Sequence, residues 1–521
     1  MEKTDVVIVG GGMAGLTACS YIARAGKSVR LFEQQKTFGG LVSSFERDGY
    51  TLDGGIRSIE NSGILFPMLK ELGIQLDFVK SNVSLGTGDS MLWLDGKESI
   101  SEYEAFLNRE FPGNEESVRK IIREIRKITG YMHVLYGIEN PLFKDLKKDY
   151  RFIFRTLLPW LFKFLLTIRN IERLTTPVEE YLARYTDNRQ LIDNIAQHFF
   201  KGTPTSFALS YFSLYNDYYY PPGGTGKLPG ALENYAAGQG AALMPGTRIT
   251  SVNHKDKYVT DDKNRKYGYR SLIWAADLKT LFTLTDENSF STKKQKESFL
   301  ARKIELKDLK GAESVFTVYL MIDLDPGYFR ERTAEHSFIT PSKEGLSKVG
   351  PPGNDKASIK KHLEELVRYN TFEVSIPVLR DSSLAPPGKT AMIASILFEH
   401  QLERKIAEQG WHEEFRNDME ALIAKQMMEI FPEIRSKITG QFSSTPQTIH
   451  NLTGSTDGAI VGWAYTNPSM PVTHKFSQVA RSVNTPLEGV FKAGQWSYSP
   501  AGIPIAILTG KMAAEKALKR C

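Results

Sequence analysis

Gly10, Gly12 and Gly15 stand in the G-x-G-x-x-G spacing, directly after the β-branched run Val6–Val9 and at the head of a helical pattern reaching Ala25. Each glycine has a job there. Gly10 permits the tight turn, Gly12 lets backbone approach a pyrophosphate, and Gly15 allows close helix–strand packing. The anion would rest on the helix N-terminus at Met13 and Ala14, where free N–H groups and the helix dipole favour negative charge. The stretch "SVRLFE" reads as a second strand ending in Glu33, an acid placed to accept hydrogen bonds from an adenosine ribose and to disfavour a 2′-phosphate. Strand, turn, helix, strand and terminal acid occur in order, which makes a tight turn without ligand the minor alternative. This much does not separate one adenine dinucleotide from another.

The elements around that site come from both ends of the chain. "GVFKAGQWSYSPAGIPIAILTGKMAAEKAL" also runs an apolar strand into a glycine turn and a small-residue helix, more than 450 residues after the first motif. Between them, "QQKTFGGLVSSFERDGYTLDGG" carries the glycine pair Gly39-Gly40, followed by Leu52-Asp53-Gly54-Gly55. A glycine pair there lets the chain run along a cofactor's phosphates and ribityl chain, and a plain glycine-rich loop leading to a hairpin is the bland reading.

Together these blocks resemble the flavin amine oxidase superfamily, and in particular its phytoene desaturase branch of carotenoid desaturases, carotenoid isomerases and retinol saturase. Further blocks carry the same resemblance in the same order: "YYYPPGGTGKLPGALENYAAGQGAALMPGTRITSV", "LIWAADLKTLFTL", "RDSSLAPPGKTAMIAS" and "STPQTIHNLTGSTDGAIVGWAY". The resemblance implies an α/β fold: a Rossmann-like, FAD-binding domain of the glutathione reductase-like flavoprotein kind, with an inserted mixed-sheet substrate domain and a helical lid. It implies one FAD held by both termini. By resemblance, the pair Gly39 and Gly40 runs along the phosphates and ribityl chain, and Leu41, Asp53, Gly54 and Gly55 belong to the same cofactor site. The Ile249 backbone flanks the adenine, and Ala275, Ala276 and Asp277 approach from the opposite edge. Gly494, Gln495, Gly502, Ile503 and Pro504 close the site, the helix beginning near Ile503 facing the flavin's pyrimidine end. Family members commonly carry Arg at position 41 and Asp or Ala at position 495. This chain has Leu41 and Gln495, the latter leaning toward the saturase sub-branch. Trp496 and Tyr498 would face the ring from the substrate side, Trp496 as a wall and Tyr498 for positioning and weak acid–base work.

The implied division is 1–73, 220–290 and 481–521 as three parts of the FAD domain, with 74–219 and 291–480 inserted as substrate regions. Ser117–Ile128 and Glu403–Ile430 show helical spacing. Aromatics crowd 199–220: Phe199, Phe200, Phe207, Tyr211, Phe212, Tyr215, Tyr218, Tyr219 and Tyr220. Core packing and an apolar substrate pocket explain them equally well.

Composition sets outer bounds. The 521 residues include 41% hydrophobic and 24% charged, an ordinary globular balance long enough for two or three domains. The net charge of +6 is spread without a dense basic block, which argues against nucleic acid and leaves weak attraction to an anionic membrane open. Two cysteines, Cys19 and Cys521, argue against a structural disulfide. A start at Met1 without a leader-like segment points to the cytoplasmic side. The stretch 152–168, "FIFRTLLPWLFKFLLTI", is too charged to span a bilayer, with Arg151, Arg155 and Lys163 on one stripe. It reads as a helix lying in the membrane interface or as one packed over the core, and Pro159 would kink either. No metal-ligand spacing stands out. "GTGK" has Leu228 where a phosphate loop needs Ser or Thr, and no G-x-S-x-G hydrolase elbow occurs.

The expected activity is therefore an FAD-dependent desaturase, saturase or isomerase working on C–C or C=C bonds of an apolar isoprenoid, carotenoid or lipid. The alternatives are a flavin amine oxidase that releases hydrogen peroxide and a non-enzymatic flavin-binding scaffold.

Overall fold

Val6, Val7 and Ile8 are fully buried, as a strand covered on both faces requires. They belong to β1 (Lys3–Val9), which lies parallel to β2 (Val29–Phe32) on one side and to β3 (Lys266–Trp274) on the other. The computed structural model describes every residue except 1, 2, 95, 97, 98, 145, 147 and 148, so the expected start at Met1 lies outside the described residues. The strand Ala242–Met244 extends this sheet beyond β2, and β4 (Val490–Lys492) pairs with β3, all in parallel. An antiparallel pair, Tyr258–Asp261 and Ile249–Asn253, completes seven strands beside β3. The helix α1 (Met13–Arg24) covers one face and lies against the C-terminal helix Ile503–Leu518. Their backbones come close because Gly510 has no side chain: a Cβ there would lie 2.5 Å from the Ala14 carbonyl oxygen. The Rossmann-like α/β class expected from the sequence is the fold observed.

A second seven-stranded sheet is mixed, again as expected. Its order is Ile438–Ser444, Ser314–Ile322, Thr390–Phe398, Phe372–Ser375, His336–Thr340, Val83–Thr87 and Ser90–Leu94. Neighbours run antiparallel except His336–Thr340 with Val83–Thr87. Residues from both inserted regions thus build one sheet.

Two helices complete the frame of the cavity described below: α2 (Glu115–Leu135), which buries Val118, Ile121, Ile122, Ile125 and Ile128, and α3 (Leu158–Ile171). Pro159 sits in the first turn of α3, behind the π-helical turn Ile153–Leu157. Proline has no N–H for the ordinary helical bond, and the wider turn before it absorbs the mismatch. The periodic stretch Glu403–Ile430 is two helices, His400–Glu408 and His412–Ile430, because Gly410 takes the left-handed conformation at φ +81° and ends the first. Among the described residues, no helix is long and apolar enough to cross a membrane.

Candidate active site

One cavity of about 1220 Å³ runs from the C-terminal ends of the parallel strands to the second sheet. This is where open parallel sheets place their ligands. Gly10, Gly12, Met13 and Ala14 line one end of it, and Gly494, Gln495, Gly502, Ile503 and Pro504 line the same space from the far end of the chain. The two terminal motifs are halves of a single site.

Backbone geometry explains why this end is built from small residues. Gly10 has φ +104°, and a Cβ there would sit 2.7 Å from the Ala275 carbonyl. Gly15 does not line the cavity. It lies behind it, where a Cβ would meet the Gly10 carbonyl oxygen at 1.9 Å, so it sets the helix–strand approach. Gly12 is different: the nearest atom to its hypothetical Cβ is the Gly39 oxygen at 3.9 Å, and the space beyond belongs to the cavity. No side chain caps α1 and its first turn carries no acid; the same holds for Ile503–Leu518. Two helix N-termini therefore face one cavity with their donors open, an arrangement suited to anionic and electron-rich groups.

Glu33 lines the cavity and accepts from the Gly11 N–H at 2.7 Å and the Gln35 N–H at 2.8 Å. Burial pushes its carboxyl up, against these bonds. Gly39, Gly40, Leu41, Gly54 and Gly55 line the wall, as do Ile249, Ala275, Ala276 and Asp277. The Asp277 carboxylate is already engaged, accepting from the Thr280 N–H at 3.0 Å and the Thr456 N–H at 2.8 Å. The Gln495 amide donates to Ser455 Oγ at 3.3 Å and the Ala459 carbonyl at 3.2 Å, so its NH2 braces the 455–459 loop. Asp53 stands apart. It is buried off the cavity, accepting from Tyr220 Oη at 2.8 Å, Thr225 Oγ1 at 2.8 Å, the Thr225 N–H at 2.9 Å and Ser44 Oγ at 2.9 Å. Four donors on one buried carboxylate make it the knot that holds the 43–55 hairpin to the 220–226 loop, rather than a group touching the ligand.

Trp496 and Tyr498 line the cavity beyond this cradle. Trp496 packs edge-on to Trp463, with ring centroids 4.8 Å apart. Tyr498 donates its hydroxyl to the His474 carbonyl at 3.3 Å, and burial pushes its ionisation up. The bond fixes the ring, and the raised ionisation keeps the hydroxyl protonated near neutrality. Of the aromatic run, Phe199, Phe200, Phe207, Tyr211 and Tyr218 line the cavity. Phe212 and Tyr215 belong to the core, and Tyr220 serves Asp53.

Sequence reasoning missed a polar cluster on the substrate side. Arg57 lines the cavity and donates to the Asp53 carbonyl at 2.8 Å and to Ser395 Oγ at 3.3 Å. Glu60, also lining it, is pushed up to about 7 by burial, with repulsion from Asp217 adding to the shift. Tyr211 donates to its Oε1 at 3.5 Å. His336 and Glu373 face the same space, 2.9 Å apart. Arg57 and Glu60 directly follow the quoted "LDGG" and were within reach of sequence reading. His336 and Glu373 meet only through strand pairing, and no local signal marks either.

Residues and shape fit an adenine dinucleotide: an uncapped helix N-terminus, a glycine with open space before it, and an acid at the end of the second strand. These are the features by which Rossmann-like domains hold a dinucleotide. The NAD(P)-binding Rossmann-like domain family matches residues 8–72. The chain is 23% identical to the inactive all-trans-retinol 13,14-reductase of Danio rerio, covering 100% of this chain and 86% of that protein. It is 20% identical to a 4,4'-diapophytoene desaturase (4,4'-diaponeurosporene-forming) of Staphylococcus aureus, covering 99% and 98%. Its fold matches that of a putrescine oxidase solved with putrescine bound, at a TM-score of 0.63 and 15% identity over 99% of each chain. Along its whole length the chain is thus similar in sequence to a retinol reductase and a diapophytoene desaturase, and in fold to an amine oxidase.

Proposed function

We propose that the chain is an FAD-dependent desaturase, saturase or isomerase acting on C–C or C=C bonds of an apolar isoprenoid, carotenoid or other lipid. The carrying observation is that the dinucleotide cradle opens, without a partition, into a large and mainly apolar pocket walled by Phe199, Phe200, Phe207, Ile460 and Met470. Its volume exceeds the roughly 300–1,000 Å³ of sites for drug-sized ligands, leaving room for an extended partner beside a dinucleotide. Relatives named for a retinol and for a carotenoid precursor support the same substrate class.

In this reading the chain mainly binds, orients and excludes water. When bound, the isoalloxazine ring supplies a two-electron carrier able to take or return a hydride. The Met13 and Ala14 N–H groups would hold the pyrophosphate, Glu33 would hold the ribose, and the helix N-terminus at Ile503 would favour negative charge on the ring. Trp496 and Tyr498 form the dry wall. Glu60, with its carboxyl near 7, holds or releases a proton at its carboxyl oxygens at neutral pH.

The test is to purify the chain, reconstitute it with FAD, and add candidate lipids without oxygen. Flavin bleaching by a saturated lipid, or its return by a polyene, supports the proposal. A colourless protein that takes up no FAD overturns it. A second reading, an amine oxidase, draws on the carboxylates Glu60 and Glu373 among Tyr136, Tyr211 and Tyr465, surroundings that also suit an ammonium ion. Arg57 and Arg380 beside Glu373 weigh against it, and peroxide release with amines but not lipids would favour it.

A further inference from the structure

The outer side of α3 and of the turn before it is bare. Phe154, Leu158, Leu161, Phe162, Leu165 and Leu166 are all exposed, Phe162 at 70% and Phe154 at 66%. From 150 to 171 the chain also holds Arg151, Arg155, Lys163 and Arg169, all exposed, and not a single Asp or Glu. The sequence suggested a basic stripe set apart from the apolar face. Instead, Thr167, Ile168 and Ile171 turn inward, while cations and large apolar groups share the outward side.

Such a face is costly in water, since soluble chains seldom leave contiguous large apolar groups uncovered. It also suits a protein partner poorly: a second copy laid on it by two-fold symmetry would set four cations against four, with no acid on the face to pair them. A lipid–water interface meets both demands. Apolar side chains enter below the headgroups, and arginine and lysine extend along their stems to the phosphates.

We propose that the outward face of 150–169 docks flat on an anionic lipid bilayer. The helix is tied to the cavity wall. Trp160 donates its indole N–H to the Val134 carbonyl at 2.6 Å, holding α3 against α2. Ile171 and Glu172 at the end of α3, and Met132 and Tyr136 at the end of α2, line the cavity itself. The docked face is therefore continuous with the site's wall. The docking stands apart from the redox reading, because it is measured without turnover.

The experiment is co-sedimentation of the full chain with vesicles of phosphatidylcholine alone and of phosphatidylcholine mixed with phosphatidylglycerol. Binding is expected on the anionic vesicles, weakened roughly a hundredfold or more on the neutral ones and reduced by added salt. Phe162→Asp combined with Leu165→Asp should abolish binding while leaving the far-ultraviolet circular dichroism and melting transition unchanged, since both side chains are exposed. Arg155→Gln with Lys163→Gln should lose roughly fivefold per charge on the anionic vesicles alone. No vesicle binding, or equal binding by the parent and the double aspartate variant, would overturn the proposal. So would a dimer in light scattering that the aspartates convert to monomer, which would assign the face to a second copy.

Discussion

His336 donates from Nε2 to Glu373 Oε1 at 2.9 Å, joining neighbouring antiparallel strands of the second sheet diagonally across the cavity wall. Burial keeps the imidazole neutral by lowering its pKa. Burial alone would raise Glu373, yet the His336 bond, with Arg57 and Arg380 nearby, leaves its carboxyl below the ordinary range. Glu373→Ala should cost about 1–3 kcal/mol at neutral pH, by stranding a buried donor, while Glu373→Gln should recover most of it. Because the folded pKa is depressed, the carboxylate's contribution is present above the ordinary carboxylate range and fades as pH falls through the folded value. Denaturant titrations should show the gap between parent and Glu373→Ala narrowing toward acid. A gap that widens would refute the assignment.

Glu60 has the opposite sign. Its carboxyl is raised to about 7, so the folded chain holds the proton that the unfolded chain releases near pH 4–5. Stability from this group is full at low pH and is lost as pH rises toward and through 7. Glu60→Gln should therefore gain on the parent between pH 5.5 and about pH 8, by on the order of 1–3 kcal/mol. Parallel melts at the two pH values check this.

Gly10 and Gly12 should separate folding from binding. Gly10→Ala forces an L side chain into φ +104° and into the Ala275 backbone, so a lower melting temperature is expected. Gly12→Ala meets no atom closer than 3.9 Å and should fold normally, but its methyl enters the space kept for the dinucleotide. Retained flavin absorbance per folded Gly12→Ala molecule should drop tenfold or more, roughly the loss of one close backbone contact. Parental absorbance would contradict the placement.

Lys492 lies buried at the end of β4, where burial, with Arg302 nearby, lowers its ammonium to about 7. The unfolded chain keeps that proton to about pH 10, so the parent gains stability as pH climbs from 7 to 10. Lys492→Met should be the more stable protein at pH 6, and its advantage should shrink steadily up to pH 10. Equal differences at both ends would show that the lysine finds water when folded.

The parts of this site that could be read from the sequence are those whose geometry is local. Gly10 to Gly15 and Gly494 to Pro504 each specify a strand, a turn and a helix within about twenty residues, so spacing alone announces them. Asp53 carries the motif and yet answers to Tyr220 and Thr225, some 170 residues away, so its role as a knot could not be seen beforehand. Tyr498 looks free on paper, and only the course of the 470–477 loop brings the His474 carbonyl to its hydroxyl. His336 and Glu373 are ordinary residues until strand pairing sets them side by side. Gly410 was visible all along; helical periodicity on both sides of it hid the break.

The sheet under the cradle recruits β1 near residue 3, β3 near 270 and β4 near 490. At about 5–20 residues per second of ribosomal synthesis, the first strand waits tens of seconds for its last companion. The nascent chain can close its inserted sheet earlier, since that sheet ends at Ser444. The cradle is thus completed only when residues near 490 emerge, by a chain whose inserted sheet has already had time to take shape.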